Sequence, residues 1–342
     1  MRPRVRLLGA LTAILAIAAL AGACGSSSSS SSTPSSSTAA KPGAKFKIGL
    51  VTDIGGLNDH GFNHLAYVGL QRAASELGTQ VQVEQSQSAS DYVPNLQKFA
   101  VQKYNLVIAV GFLMDGAIKQ VAKAYPSVDF AIVDDAPTPS PPNVDGLLFK
   151  EQESGYLAGY LAGLVTKTNV VSTVGGQKIP PVDHYIAGFQ AGAKASDPQV
   201  TTLNAYSNSF TNNAACKELA LNQIAQHSDV VFQVAGGCGL GALSAAQQKG
   251  VWGIGVDADQ AYLGSYILTS AIKKVDVAVY DTIKSVVDGS FAGGGVTTFD
   301  MTKGATGLGV INPKVPAADV AKVKAIAAKI KAGTIVPPDV VK

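Results

Sequence analysis

Carboxylates, carboxamides and glycines gather in short segments that each follow an apolar run. After the run 46–53, the segment 53–63 reads DIGGLNDHGFN, and after the run 251–257 the segment 257–260 reads DADQ. Carboxylates accept hydrogen bonds from paired hydroxyls or from the N–H edge of a flat ring, and glycines let the backbone approach a ligand closely. These segments predict a binding site for a neutral ligand rich in O–H and N–H groups.

Cationic side chains are scarce in the same segments, where Lys273 and Lys274 end one apolar run. A phosphorylated ligand would require an arginine clamp or several lysines. The four histidines show no metal-ligand spacing with the cysteines, so the sequence predicts neither a metal site nor a cofactor.

A scaffold must bring these segments to one edge, and the pattern of apolar runs predicts it. The runs alternate with helical patterns in two series, which indicates two parallel sheets, each covered by helices on both faces. In open parallel sheets, ligands bind beyond the carboxyl ends of the strands. The first series is 46–53, 81–85, 106–110, 130–134 and 144–149, and the second is 170–175, 200–206, 230–234, 251–257 and 267–272.

The N-terminal end has the pattern of an export signal. Three arginines within the first six residues precede a nearly uninterrupted apolar stretch at 7–20, and small residues then precede Cys24. This resembles the lipobox of bacterial lipoproteins and predicts a signal peptide at 1–23 and a lipid on Cys24. Ordinary cleavage that releases a free secreted protein is the alternative. The Ser/Thr/Pro-rich segment 24–44 is too polar to fold and predicts a tether.

Removal of the predicted signal peptide leaves a chain without net charge. The whole sequence has 27 basic and 24 acidic residues, and three of the basic residues fall within 1–23, so 24 of each sign remain. A neutral body with 15% charged residues and no basic stripe argues against nucleic acid as a partner.

One segment has the form of a dinucleotide-binding fingerprint. The segment 237–242, GCGLGA, follows an apolar run, opens a helical pattern and precedes Asp257 by about 20 residues. However, no acid–base pair accompanies it, and an exported protein would not meet a soluble nicotinamide pool. We therefore interpret the segment as a ligand-cradling turn and expect that the protein is not an enzyme.

A resemblance to a known family covers the body from Lys45 to Pro338. Its motifs are KIGLVTD at 47–53, Phe62-Asn63, FKE at 149–151, YLAG at 156–159, GFQAG at 188–192, GVDADQ at 255–260 and VDVAVY at 275–280. In this order and spacing they resemble the basic membrane protein family, the substrate-binding lipoproteins of ABC importers. Characterised members of that family bind purine nucleosides.

The resemblance implies an α/β, type I periplasmic-binding-protein fold, with two Rossmann-like lobes that are joined by three crossings and close on the ligand. Lobe 1 is expected at 45–149 plus about 275–295, and lobe 2 at 150–274 plus about 296–342. The implied function is the binding of guanosine, inosine or adenosine for a membrane permease and its ATPase, outside the cell membrane and anchored through the lipid. A nucleoside-sensing lipoprotein and an extracellular nucleoside hydrolase are the alternatives.

The resemblance also implies roles for individual residues. Asp53 would accept hydrogen bonds from the base edge, and Asp257 and Lys273 would hold the ribose hydroxyls. Phe62 would stack on the base and Phe232 would face it from lobe 2, although their spacing alone would place both in the core. The further implied contacts are Asn58, Asp59, Asn63, Phe112, Asp115 and Gly237. Asn58 stands where the family often has Asp, and Cys238 where a small polar residue is frequent.

Cys216 and Cys238 are the remaining cysteines, and export permits a disulfide between them. Cys216 begins a helical pattern and Cys238 lies in the loop after the next strand, so we predict that the bond pins a cleft loop to a helix start. Thiol titration of a chain that begins at Lys45, unfolded without reductant, should therefore detect no free thiol. Two free thiols would contradict the pairing.

Overall fold

The computed structural model describes residues 41–341. The predicted signal peptide, Cys24 and the tether up to residue 40 lie outside the described residues. Within 41–341, no helix is both long enough and apolar enough to cross a bilayer.

The described chain alternates strands and helices. The strands are β1 (Lys47–Thr52), β2 (Gln80–Gln85), β3 (Leu106–Val110), β4 (Asp129–Val133), β5 (Val144–Phe149), β6 (Val170–Gly175), β7 (Thr201–Tyr206), β8 (Val230–Val234), β9 (Trp252–Asp257), β10 (Ile267–Lys273), β11 (Val296–Phe299) and β12 (Thr306–Leu308). The helices are α1 (Phe62–Leu77), α2 (Tyr92–Val101), α3 (Asp115–Ala124), α4 (Glu151–Val165), α5 (Pro180–Ser196), α6 (Asn213–Ala225), α7 (Gly236–Lys249), α8 (Val275–Val287) and α9 (Ala317–Lys331).

The strands form two six-stranded sheets, one in each lobe. The orders are β11-β5-β4-β3-β1-β2 in lobe 1 and β12-β10-β9-β8-β6-β7 in lobe 2. Neighbouring strands are parallel except that β12 runs antiparallel to β10. The predicted pair of α/β lobes with largely parallel sheets is confirmed. Because the strands are parallel, their carboxyl ends share one edge of each sheet.

Helices cover both faces of each sheet and form its core. In lobe 1, α1 and α8 bury apolar side chains on one face, and α2 and α3 do so on the other. In lobe 2, α4, α5 and α9 cover one face, and α6 and α7 cover the other. A strand that is covered on both faces can be apolar along its whole length, as β3 is, with all five residues buried.

The chain passes between the lobes three times, after β5, β10 and β11. Backbone bonds tie these crossings together: Lys150 N donates to Phe299 O at 3.0 Å, and Lys274 N donates to Ala305 O at 2.8 Å. The return to lobe 1 includes β11, which pairs with β5. Lobe 1 therefore continues to Phe299, beyond the expected boundary at 295.

Helices α4 and α5 pack with their backbones in close approach. A Cβ added at Gly159 would lie 2.0 Å from the carbonyl oxygen of Phe189, and one at Gly192 would lie 2.0 Å from that of Tyr156. The close approach fixes how α4, the first element after the first crossing, lies against lobe 2. Glycine is required here by packing, because any side chain would meet rigid backbone.

Gly159→Ala should lower the free energy of unfolding by about 1–3 kcal/mol, the usual cost of overpacking a tight contact. Gly116→Ala is the matched control, because a Cβ at this exposed position of α3 would meet no atom within 4 Å. Urea unfolding of the two variants measures the difference. Equal stability of the two variants would contradict the packing argument.

Candidate functional site

A cavity lies between the lobes at the carboxyl ends of the strands. Together with its opening to solvent, it has about 620 Å³ of space free of atoms. Eight residues singled out from the sequence line it: Asp53, Asp59, Phe62, Asn63, Phe112, Gly237, Asp257 and Lys273. Lobe 1 and lobe 2 both contribute, so a ligand in the cavity would contact both.

Asp53 follows β1 and places a buried carboxylate at the lobe 1 side of the cavity. Its Oδ1 accepts hydrogen bonds from Gly55 N at 3.0 Å and from Asn63 Nδ2 at 2.8 Å. Burial raises the pKa of Asp53 to about 6, although both hydrogen bonds oppose the shift. Asn63 Oδ1 is also buried, and it has no hydrogen-bond partner among the described residues.

Asp59 caps the first turn of α1. Its carboxylate accepts from Gly61 N at 3.1 Å, Asn63 N at 2.7 Å and His64 N at 3.1 Å. Free N–H groups at a helix start favour such a carboxylate. Helix α1 begins at Phe62, because residues 59–61 form the turn that the carboxylate closes. Asp59 lines the cavity while most of its hydrogen-bonding capacity serves the helix.

Lys273 ends β10 and lies buried at the centre of the cleft, with 2% of its surface exposed. Its Nζ is 2.6 Å from Asp134 Oδ2, 3.5 Å from Glu151 Oε1 and 3.8 Å from Asp257 Oδ1. Burial lowers the pKa of this ammonium, but the three carboxylates outweigh burial and hold the pKa above its usual range. The Asp134 contact crosses from lobe 1 to lobe 2.

The carboxylates around Lys273 are also perturbed. Burial raises the pKa of Asp134 to about 7, and it raises the pKa of Asp257, because one ammonium shared by three carboxylates does not offset the desolvation of each. Glu151 Oε2 lies 3.0 Å from Nδ1 of His184. The hydrogen bond with this carboxylate raises the pKa of His184 against the effect of burial. The site therefore holds three carboxyl groups against one ammonium.

Asp134, directly after β4, and Asp257, the last residue of β9, have left-handed backbone, at φ 67° and φ 62°. Residues other than glycine rarely adopt this conformation, and such strain collects at functional sites. At both positions the left-handed conformation turns the backbone sharply away from the strand, while the carboxylate stays at the strand end. The Asp257 carboxylate also accepts a hydrogen bond from the hydroxyl of Tyr185 at 3.1 Å.

Phe62 and Phe210 line the cavity from lobe 1 and lobe 2, respectively. Phe232 does not line it, because its side chain is completely buried in the lobe 2 core between Tyr185 and Phe189, at ring-centroid distances of 6.0 and 5.3 Å. The implied position of Phe232 opposite a ligand therefore does not fit the structure, and the aromatic ring that lines the cavity from lobe 2 is Phe210, in the loop between β7 and α6.

Two further candidates lie outside the cavity lining. Asn58 is exposed to solvent. Asp115 begins α3, and its Oδ2 lies 2.8 Å from Lys119 Nζ on the same helix. The segment just before α3 still contributes Phe112 and Leu113 to the lining.

The sequence reasoning missed several lining residues. Asp134 follows a strand as Asp53 and Asp257 do, so the same pattern could have identified it. Tyr185 lies within α5 and Phe210 within a polar loop, and neither position carries a local signal. Within the described residues, no group of three or more His, Cys, Asp or Glu side chains is arranged to hold a metal ion.

Comparison with known proteins identifies relatives over nearly the whole body. The model of the family described as "ABC transporter substrate-binding protein PnrA-like" (Bmp) matches residues 46–340. The chain is 36% identical over 299 residues to the ABC transporter nucleoside-binding protein BmpA of Lactococcus lactis, covering 81% of this chain and 85% of that one. It is 29% identical to basic membrane protein D of Borreliella burgdorferi, covering 81% of each chain.

Solved structures show the same fold. An ABC transporter solute-binding protein from Aeropyrum pernix superposes with a TM-score of 0.78 at 27% identity, covering 86% of this chain and 94% of that one. One from Conexibacter woesei gives a TM-score of 0.70 at 26% identity, covering 86% and 99%. The expected periplasmic-binding-protein fold is confirmed.

Asp53→Asn should stabilise the ligand-free protein at pH 7.5 by up to about 3 kcal/mol, because two pKa units correspond to roughly that free energy. Between the unfolded pKa of 3.8 and the folded pKa of about 6, the folded wild type keeps a proton that the unfolded chain loses. Wild-type stability therefore falls as the pH rises through this window. Asparagine carries no charge and keeps an acceptor for Gly55 and Asn63.

Urea unfolding at pH 4 and pH 7.5 tests this expectation, and the advantage of the variant should shrink at pH 4. Glu218→Gln, at an exposed position of α6, is the control and should gain no stability. If Asp53→Asn were no more stable than wild type at pH 7.5, ionisation of the buried Asp53 carboxylate would not destabilise the folded state, which would contradict this expectation.

Proposed function

The chain belongs to the Bmp family of PnrA-like ABC transporter substrate-binding proteins, and we propose that it binds a purine nucleoside between its lobes. The observation that carries this proposal is the pairing of an acceptor-rich, largely carboxylate lining with aromatic rings on both lobes. A nucleoside has the complementary groups: a flat base with N–H donors and a sugar with paired hydroxyls. The nucleoside-binding relative in Lactococcus lactis supports the same ligand class.

The base is proposed to lie between Phe62 and Phe210. Stacked aromatic faces bind any flat ring, so hydrogen bonds must select the base. Asp53 and the carboxamide oxygen of Asn63 are acceptors at this end of the cavity. The N–H groups on a purine edge would satisfy both, and leaving either one buried without a donor is costly.

The sugar is proposed to lie at the Lys273 end. Asp257 and Asp134 offer carboxylate oxygens to the ribose hydroxyls, and the ammonium of Lys273 can donate to a hydroxyl oxygen. Asp134 Oδ1 is buried without a hydrogen-bond partner among the described residues. Such an atom suits a hydroxyl donor from the ligand.

Charge disfavours a phosphorylated ligand. Among the described residues that line the cavity, Lys273 is the one cation, whereas Asp53, Asp59, Asp134 and Asp257 are acidic. The ammonium already faces three carboxylates. A phosphate would be placed in a negative, poorly hydrated site, where like charges repel strongly.

Ligand binding is proposed to favour the closed arrangement of the lobes. The base would contact Asp53 on lobe 1 and Phe210 on lobe 2, so its binding free energy depends on both lobes being near each other. The permease and its ATPase would then recognise the closed form outside the membrane, to which Cys24 would anchor the chain. A nucleoside sensor with the same pocket would differ in its membrane partner.

The hydrogen bonds of one aspartate, Asp259, disfavour the hydrolase alternative. Its basis in the sequence is the Asp-x-Asp pair of Asp257 and Asp259, which could hold calcium and a water. In the structure the Asp259 carboxylate accepts from Ala261 N at 3.1 Å and from Val310 N at 2.9 Å. Asp259 is also absent from the cavity lining. Of the two aspartates, only Asp257 therefore faces the cavity, and a hydrolase built on this pair would need both.

Isothermal calorimetry on the folded body, after any carried-over ligand is removed by unfolding and refolding, tests the proposal. Guanosine, inosine, adenosine, uridine, ribose and AMP form the panel. We expect tight binding of at least one purine nucleoside, at least about 100-fold weaker binding of AMP, roughly 3 kcal/mol, and no release of free base. No nucleoside binding would overturn the ligand assignment, and released base would indicate an enzyme.

Asp257→Asn and Asp259→Asn form a matched pair two residues apart. Loss of the Asp257 carboxylate should weaken nucleoside binding by about 10- to 100-fold, the usual range for a buried charged hydrogen bond. Asp259→Asn should change the affinity less than about threefold, although it alters backbone bonds outside the cavity. Equal effects of the two substitutions would contradict the proposed sugar site.

A further inference from the structure

The Cys216–Cys238 disulfide joins the first turn of α6 to the first turn of α7, so Cys238 lies in a helix and not in the predicted loop. Both cysteines are completely buried, in a small cluster with Val174 and Ala220 on the face of the lobe 2 sheet that α6 and α7 cover. Neither cysteine lines the cavity. The disulfide can therefore affect a ligand in the cavity only through residues that line it.

A backbone hydrogen bond links the disulfide to the cavity. Cys238 N donates to the carbonyl oxygen of Phe210 at 2.8 Å. This N–H belongs to the first turn of α7, where amide groups have no partner within the helix. The carbonyl of Phe210 therefore takes its position from the start of α7, and the start of α7 is held by the disulfide.

The start of α7 is intrinsically pliable. It contains Gly236, Gly237, Gly239 and Gly241, and Gly236 has a left-handed φ of 53°. Glycines lose more conformational freedom on ordering than any other residue, so such a turn is costly to hold in one geometry. A covalent link to the neighbouring helix reduces the alternatives open to it.

The ring of Phe210 also needs this support. It rests on the loop after β6, where a Cβ at Gly176 would lie 2.4 Å from the ring. The segment from Ser207 to Asn212 belongs to neither a strand nor a helix, so sheet hydrogen bonds do not fix it along its length. Asn208 N donates to Gly176 O at 2.9 Å at one end, and the bond from Cys238 holds the other.

We propose that the Cys216–Cys238 disulfide is a positioning pair for the ligand site, which holds Phe210 and the Gly236–Gly237 turn in the geometry that binds the base. This proposal rests on the proposed nucleoside-binding function. It assigns the crosslink an effect on affinity that is separate from its effect on stability. A preformed aromatic platform binds more tightly because less ordering remains to be done on binding.

A double-mutant cycle tests the proposal. The chains are wild type, Phe210→Ala, Cys216→Ser with Cys238→Ser, and all three substitutions together, each titrated calorimetrically with the purine nucleoside that wild type binds most tightly. We expect the cysteine pair to weaken binding by about tenfold in the wild-type background and by less than about twofold in the Phe210→Ala background, since coupled residues are non-additive.

Ile330→Ala controls for stability, because Ile330 is a buried residue of α9 in the lobe 2 core. It should lower the urea midpoint without changing the affinity. Wild type reduced with dithiothreitol provides a second comparison without substitution. Each disulfide then yields two thiols, while dithiothreitol is oxidised to its cyclic disulfide. The reduced protein should bind as the serine pair does.

An equal loss in both backgrounds, or no loss on removing the crosslink, would overturn this inference while leaving nucleoside binding intact. Failure of wild type to bind any nucleoside would overturn the proposed function and this inference together.

Discussion

The buried ammonium of Lys273 is the interaction on which the cleft depends. An isolated lysine at 2% exposure would lose its charge, because burial penalises the charged form. Three carboxylates keep it charged, and they come from different parts of the chain: Asp134 from lobe 1, Asp257 from lobe 2 and Glu151 from the first crossing. The ammonium of Lys273 therefore links lobe 1, lobe 2 and the first crossing between them.

This arrangement also sets what the cleft can accept. A single ammonium does not satisfy three carboxylates, so acceptors remain for the proposed ligand, and the excess of acidic groups disfavours an anion. A neutral ligand with hydroxyl and N–H donors can satisfy those acceptors without adding charge. Buried ion pairs contribute little net stability, but removal of one partner leaves an uncompensated buried charge, so the groups around Lys273 depend on one another.

Supporting structure holds the groups that surround this centre. The Asp59 carboxylate accepts hydrogen bonds from the first turn of α1, which holds Phe62 at the cavity. Phe232 fills the core behind Tyr185, whose hydroxyl holds Asp257. Packing around the cleft offsets the free energy needed to bury and order these side chains. Side chains that are already ordered lose little conformational entropy when a ligand binds.

The sequence by itself determined the ten long strands, their parallel pairing and the strand-end loops that carry Asp53, Asp257 and Lys273, because apolar periodicity and turn residues are local signals. It did not reveal β11 and β12, which are short edge strands fixed by pairing rather than by their own composition. The apolar spacing of the sequence placed Phe232 in the core, where the structure has it, whereas only the tertiary structure decided that Phe210 lines the cleft. Phe210 lies in a polar loop without a local signal, and its position depends on packing between residues that are distant in the chain.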